Sequence, residues 1–115
     1  MTQPTIDRAT FDELKETAGA EFVVELVDTF LTEAPTMLDD LRRAFVAGDA
    51  DAFRRAAHSL KSNGNTFGAR TLATMAKDLE LGGMAPVQAA AGTPLDALGD
   101  EYARVAQALS EMKRG

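Results

Sequence analysis

The sequence predicts an all-α protein: an antiparallel up-down-up-down four-helix bundle with a short extra helix at its N-terminus. Three observations lead there. Apolar residues repeat with the helical period of about 3.6 residues over four long segments. The joints between most of these segments are short, which makes successive helices antiparallel neighbours. The composition, 6% aromatic and rich in Ala, Leu, Glu, Asp and Arg, suits helices. A chain of 115 residues fits one domain, 1–115, large enough for a core.

Taken in order, residues 1–6 read as a loose lead. Thr10 and Glu13 have the spacing of a capping box for a short helix ending at Gly19, with Phe11 and Leu14 as its apolar points. A long pattern follows over 20–47, marked by Phe22, Val23, Leu26, Phe30, Met37, Leu41 and Phe45. Pro35 interrupts it and removes the hydrogen bond to the Leu31 carbonyl, so a kink or break is expected there. Gly48 ends this helix and Asp49 caps the next, which runs to Phe67. Gly68 then stands at a helix C′ position, and a new apolar period begins at Leu72, Met75, Ala76 and Leu79. Residues 82–94, GGMAPVQAAAGTP, read as a loop holding one helical turn at 87–91. Thr93 caps the last helix with Pro94 at N1, and Leu95, Leu98, Tyr102, Val105, Leu109 and Met112 mark its buried face. Lys113 and Arg114 suit the dipole at its end. The methionines, at helical spacing, read as core filler.

Several function classes are disfavoured at once. A formal net charge of −6 argues against a general binder of nucleic acid or anionic membrane. No cysteine is present, which removes disulfides and thiol chemistry and is compatible with a reducing compartment. The first residues show no basic start followed by an apolar run, and no window approaches the roughly 20 apolar residues of a membrane span. The expected setting is the cytoplasm, and the expected state a monomer. The initiating Met and the capped last helix favour a protein that works alone.

The informative stretch is 57–80, AHSLKSNGNTFGARTLATMAKDLE, which holds the one histidine, His58. On a helix covering about 49–67, Phe53, Ala57, Leu60, Gly64 and Phe67 fall within roughly 40° of one line, the core-facing stripe. Gly64 on that stripe would let a neighbouring helix approach closely. His58 lies about 140° from the stripe, among Arg54, Lys61, Ser62 and Asn65, a small and partly cationic polar patch that a partner would meet. A metal site of N or S donors lacks a second His or any Cys. An exposed imidazole beside cations can instead act as a nucleophile whose product is an anion, and phosphoryl transfer is the obvious case. His58 also lies as far before the Gly68–Arg70 turn as Glu80 lies after it. At a rise of about 1.5 Å per residue the two side chains come to one height. A carboxylate there can accept Nδ1–H, fix the tautomer and leave Nε2 as the free nucleophile.

His58-Ser59-Leu60-Lys61, then Gly68-Ala69 and Leu72, with Leu79-Glu80 closing the run, resembles the signature of the histidine-containing phosphotransfer domain of two-component phosphorelays. The close match covers two helices, and helix pattern and length extend it over nearly the whole chain. The resemblance implies that His58 is the phosphoacceptor through Nε2, that Lys61 supports the phosphoryl group, and that Glu80 bonds the other ring nitrogen. The partners it implies are receiver domains of response regulators or hybrid histidine kinases, with no cofactor on this chain and the Mg²⁺ held by the receiver. One residue departs from the pattern: the family commonly has Gly one turn after the histidine, where this chain has Ser62. No phosphate-cradling glycine loop of the G-x-x-x-x-G-K-[ST] or G-x-G-x-x-G kind occurs, so a carrier without kinase activity of its own is expected. The competing reading is an interaction module that binds a receiver or kinase without being phosphorylated. A carboxylate-bridged metal enzyme would need Glu-x-x-His pairs, and Arg55 occupies the required offset.

Overall fold

A computed structural model describes residues 5–114. Within them the chain forms α1 (Arg8–Ala18), α2 (Ala20–Ala47), α3 (Ala50–Phe67), α4 (Arg70–Gly82), α5 (Ala85–Ala89) and α6 (Thr93–Arg114). Helices α2, α3, α4 and α6 form the up-down-up-down bundle, with α5 carrying the chain from α4 to α6. Ion pairs mark the antiparallel run of α2 against α6, Arg42 to Asp96 at one end and Lys113 to Asp28 at the other. Phe30 of α2 sits at the centre, its ring 5.3 Å from Phe67 and 5.9 Å from Tyr102.

The predicted stripe of α3 is the buried one: Phe53, Ala57, Leu60, Gly64 and Phe67. Two tight reversals hold this helix. At Gly48 the Asp49 N–H bonds the Ala44 carbonyl at 2.9 Å and the Gly48 N–H bonds that of Phe45 at 3.3 Å; at Gly68 the Ala69 N–H bonds Gly64 at 2.8 Å and the Gly68 N–H bonds Asn65 at 3.2 Å. Both are Schellman turns, which satisfy the last carbonyls of a helix and need a left-handed residue at C′. Asp49 serves twice, since its side chain also accepts from the Ala52 N–H at 3.1 Å to cap α3. At Gly68 glycine is needed for space as well as for its φ of +79°, because a Cβ would stand 2.9 Å from the Asp7 carbonyl oxygen.

The N-terminal region differs from expectation. Residues 1–4 of the expected loose lead lie outside the described residues, but Ile6 is buried in the core and the Asp7 N–H bonds the Gly68 carbonyl at 2.8 Å. Anchored there, the chain enters α1 at Arg8 with Asp7 as N-cap, and Thr10 is already helical. The Thr10 hydroxyl donates to Asp7 Oδ2 at 2.6 Å, and Arg70 bonds the same oxygen at 2.9 Å. Pro35 does not break α2, which is continuous. Phe22, expected on the buried face of α2, is 50% exposed. Val23, named in the same expected pattern and about 100° round the helix, is the one of the two that is buried. The turn of α5 starts two residues earlier than expected, and Thr93 is the first residue of α6, its hydroxyl donating to the Ala90 carbonyl at 2.7 Å.

Candidate functional site

Because α3 and α4 are joined by so short a turn, their register follows from counting outward from Gly68. His58 and Glu80 therefore meet across the hairpin. The His58 Nδ1–H donates to Glu80 Oε2 at 2.5 Å. The Lys61 ammonium donates to the other carboxylate oxygen, Oε1, at 2.6 Å. The three side chains differ sharply in exposure: 59% for His58, 25% for Lys61 and 13% for Glu80. The acceptor is thus sheltered between the helices while the imidazole projects from them.

The electrostatics fix the tautomer. The Lys61 hydrogen bond is the main cause that lowers the Glu80 carboxyl below its ordinary value, with the bond from His58 adding to it against the opposing effect of burial. An ionised carboxylate can only accept hydrogen bonds. The proton of a neutral His58 ring therefore sits on Nδ1, and Nε2 carries a lone pair.

The remaining patch residues are placed differently. Arg54 is 60% exposed but pairs with Asp51 at 2.7 Å, and Asp51 also draws Arg55 at 3.5 Å. These two arginines hold the Asp51 carboxyl below its usual range. Ser62 and Asn65 are exposed on the His58 side of α3. Among the described residues, no hydrogen bond links either side chain to the His58–Glu80–Lys61 cluster. Nor do three or more His, Cys, Asp or Glu side chains converge as metal ligands among the described residues.

Sequence reasoning missed two features. Asp51 is the first, although its spacing to Arg54 and Arg55 is that of helical ion pairs. The second is a groove of about 490 Å³ between α2 and α3, floored by Ala44, Ala47, Ala52 and Ala56, rimmed by Arg43 and Arg55, and reaching Ser59 beside the histidine. Its signal was the pairing of small residues three or four apart on two consecutive helices.

The chain has known relatives by sequence pattern and by fold. The family model described as Hpt domain matches residues 25–112. A solved structure, the histidine-containing phosphotransfer protein B (HptB) of Pseudomonas aeruginosa PAO1, superposes with a TM-score of 0.86 at 30% sequence identity, covering 98% of this chain and 97% of that one. No curated protein sequence gives a match. No helix among the described residues is long and apolar enough to cross a membrane. With the fold, the family match and the full-length superposition in agreement, the chain belongs to the Hpt domain family, the histidine phosphotransfer intermediates of phosphorelays.

Proposed function

We propose that His58 is the residue that carries the phosphoryl group, accepting it on Nε2 from the aspartyl phosphate of one receiver domain and passing it to the aspartate of another. The observation that carries this reading is the pairing of a largely exposed imidazole with a sheltered carboxylate on its Nδ1 side. In the forward step the Nε2 lone pair attacks phosphorus, the P–O bond to the donor aspartate breaks, and that aspartate leaves as a carboxylate. The Nδ1 proton stays in its bond to Glu80 throughout, so the ring needs no separate base. The reverse sequence delivers the group to the next receiver.

Lys61 supplies the cation that supports the phosphoryl oxygens, and Glu80 sets the orientation of the ring. Arg54, Ser62 and Asn65 belong to the face that the receiver meets. The chain acts as a carrier with no kinase activity of its own, since the acyl phosphate of the donor already holds the needed free energy. The Mg²⁺ of the reaction belongs to the receiver. We place the protein in the cytoplasm as a monomer that binds one receiver at a time, working as one domain over 1–115.

Incubation with a radiolabelled phospho-receiver tests this directly. The expected product is acid-labile label on the chain, absent from His58→Gln, with the variant's melting temperature close to that of wild type because the side chain is exposed. Label retained by His58→Gln would move the acceptor elsewhere.

A further inference from the structure

Lys61 is already engaged before any phosphoryl group arrives. Its ammonium occupies Glu80 Oε1 at 2.6 Å while His58 occupies Oε2 at 2.5 Å, so one sheltered carboxylate serves two donors. The two arginines that precede His58 on α3, Arg54 and Arg55, are both drawn to Asp51. A phosphoryl group brings close to two negative charges, and Lys61 is the ammonium placed three residues from the acceptor on the same side of α3. Side chains so spaced are neighbours, about 5–6 Å apart at Cβ. The four-carbon stem of lysine lets Nζ change partner without backbone movement.

The chemistry of the ring supplies the exchange. Forming the Nε2–P bond consumes the Nε2 lone pair while Nδ1 keeps its proton, so the phosphorylated ring carries a positive charge. Glu80 then faces a cationic ring and an ammonium together, while the phosphoryl oxygens lack a counter-ion. We propose that phosphorylation exchanges the two cations: Lys61 leaves Glu80 Oε1 for a phosphoryl oxygen, and the ring of His58 replaces it as the counter-ion of Glu80. Each anion keeps a partner in both states, and the charge-assisted bond from Nδ1–H strengthens as the ring becomes cationic. When the phosphoryl group departs, the N–P electrons return to Nε2, the ring becomes neutral and Lys61 returns to the carboxylate. Glu80 thus acts as a positioning residue for Lys61 as well as for His58. The inference rests on His58 being the phosphoacceptor.

The test follows the Lys61 ammonium by ¹⁵N NMR in the full chain, before and after treatment with phosphoramidate. This donor loses ammonia as its P–N bond breaks and the Nε2–P bond forms. Wild type and Glu80→Gln are compared in both states. In the unphosphorylated protein the variant should shift the Lys61 signal and speed its proton exchange with water severalfold. In the phosphorylated protein that difference should nearly vanish. Equal effects of Glu80→Gln in both states overturn the exchange, as does a wild-type Lys61 signal that phosphorylation leaves unchanged, a comparison that needs no variant. Phosphorylation of His58 with Lys61 still reporting on Glu80 overturns the exchange alone. A phosphoryl group found on another residue and not on His58 overturns the phosphoacceptor reading with it.

Discussion

The Tyr102 hydroxyl lies 3.5 Å from the Leu31 carbonyl and donates to it, and that carbonyl is the one Pro35 leaves without its helical donor. The orphaned acceptor inside α2 is therefore met from α6, which offsets a small part of what an interior proline costs the helix. At this length the bond is weak, and Tyr102→Phe should cost about 0.5 kcal/mol. In a Pro35→Ala background the residue at 35 regains an N–H for Leu31, and the cost of losing the hydroxyl should fall towards zero. Chemical denaturation of the two single variants, the double variant and wild type measures the coupling. Strictly additive effects would mean that the Tyr102 hydroxyl does not serve the carbonyl that Pro35 leaves free.

Gly64 shows a second case of close approach. A Cβ there would meet the Ala69 carbonyl oxygen, the Ala73 nitrogen and the Ala73 Cβ, each at 3.3 Å. Two of these are backbone atoms at the start of α4 and cannot rotate away. Gly64→Ala gains about 1 kcal/mol in helix propensity, but overpacking typically costs about 1–3 kcal/mol. The expected net effect is a destabilisation of about 1 kcal/mol, read as a lower denaturation midpoint. A more stable variant would show that the α3–α4 contact can relax.

The core stripe of α3 and the level of Glu80 with His58 were legible because both depend only on helical period and on counting across a short turn. The register is set by backbone geometry at Gly68, which glycine at that position announces. Lys61 was legible as a neighbour of His58 but not as a donor to Glu80, because its partner depends on which way a flexible side chain turns. The anchoring of Asp7 on Gly68 was hidden for another reason: it joins positions far apart in sequence, and no local pattern signals it. Glu101 is the reverse case. It is 5% exposed and pairs with Arg104 at 2.7 Å, and its spacing from Leu98 and Val105 already put it on the buried face of α6. A periodicity read through apolar residues alone passes over it.

Ser62 tests the one departure from the family pattern. The residue is exposed one turn beyond His58, where, under the proposed function, a docking receiver would need clearance to bring its aspartate to Nε2. Ser62→Gly should transfer at the wild-type rate or faster. Ser62→Leu should slow transfer from a phospho-receiver by an order of magnitude or more while leaving the melting temperature unchanged. Both are read from the same time course of label. Normal transfer by the Leu variant would place the docking face elsewhere on the bundle.

The Glu80 carboxyl makes the site sensitive to acid, with a definite sign. Its folded-state value is lowered from an ordinary 4.5, first by Lys61 and then by His58 against the effect of burial. A carboxyl lowered by folding adds stability that is complete above its unfolded value and is lost as pH falls through its folded value. Glu80→Gln keeps an acceptor for Nδ1–H but cannot attract Lys61 as an anion. Wild type should therefore exceed the variant in stability by a constant margin at neutral pH, and the margin should shrink once pH drops below the ordinary carboxylate range. Asp7 and Asp51 are lowered as well, so wild type alone would mix several titrations, whereas the difference from Glu80→Gln removes the contributions of those two aspartates. Lys61→Met supplies the internal check: with the leading cause removed, the margin that Glu80 contributes should be smaller at neutral pH and should close at a higher pH. Urea denaturation midpoints across the acid range, for wild type, Glu80→Gln, Lys61→Met and the double variant, measure both margins. Parallel curves for wild type and Glu80→Gln would mean that Glu80 titrates alike in the folded and unfolded chains, and the bond to Lys61 would then be too weak to hold the carboxylate ionised.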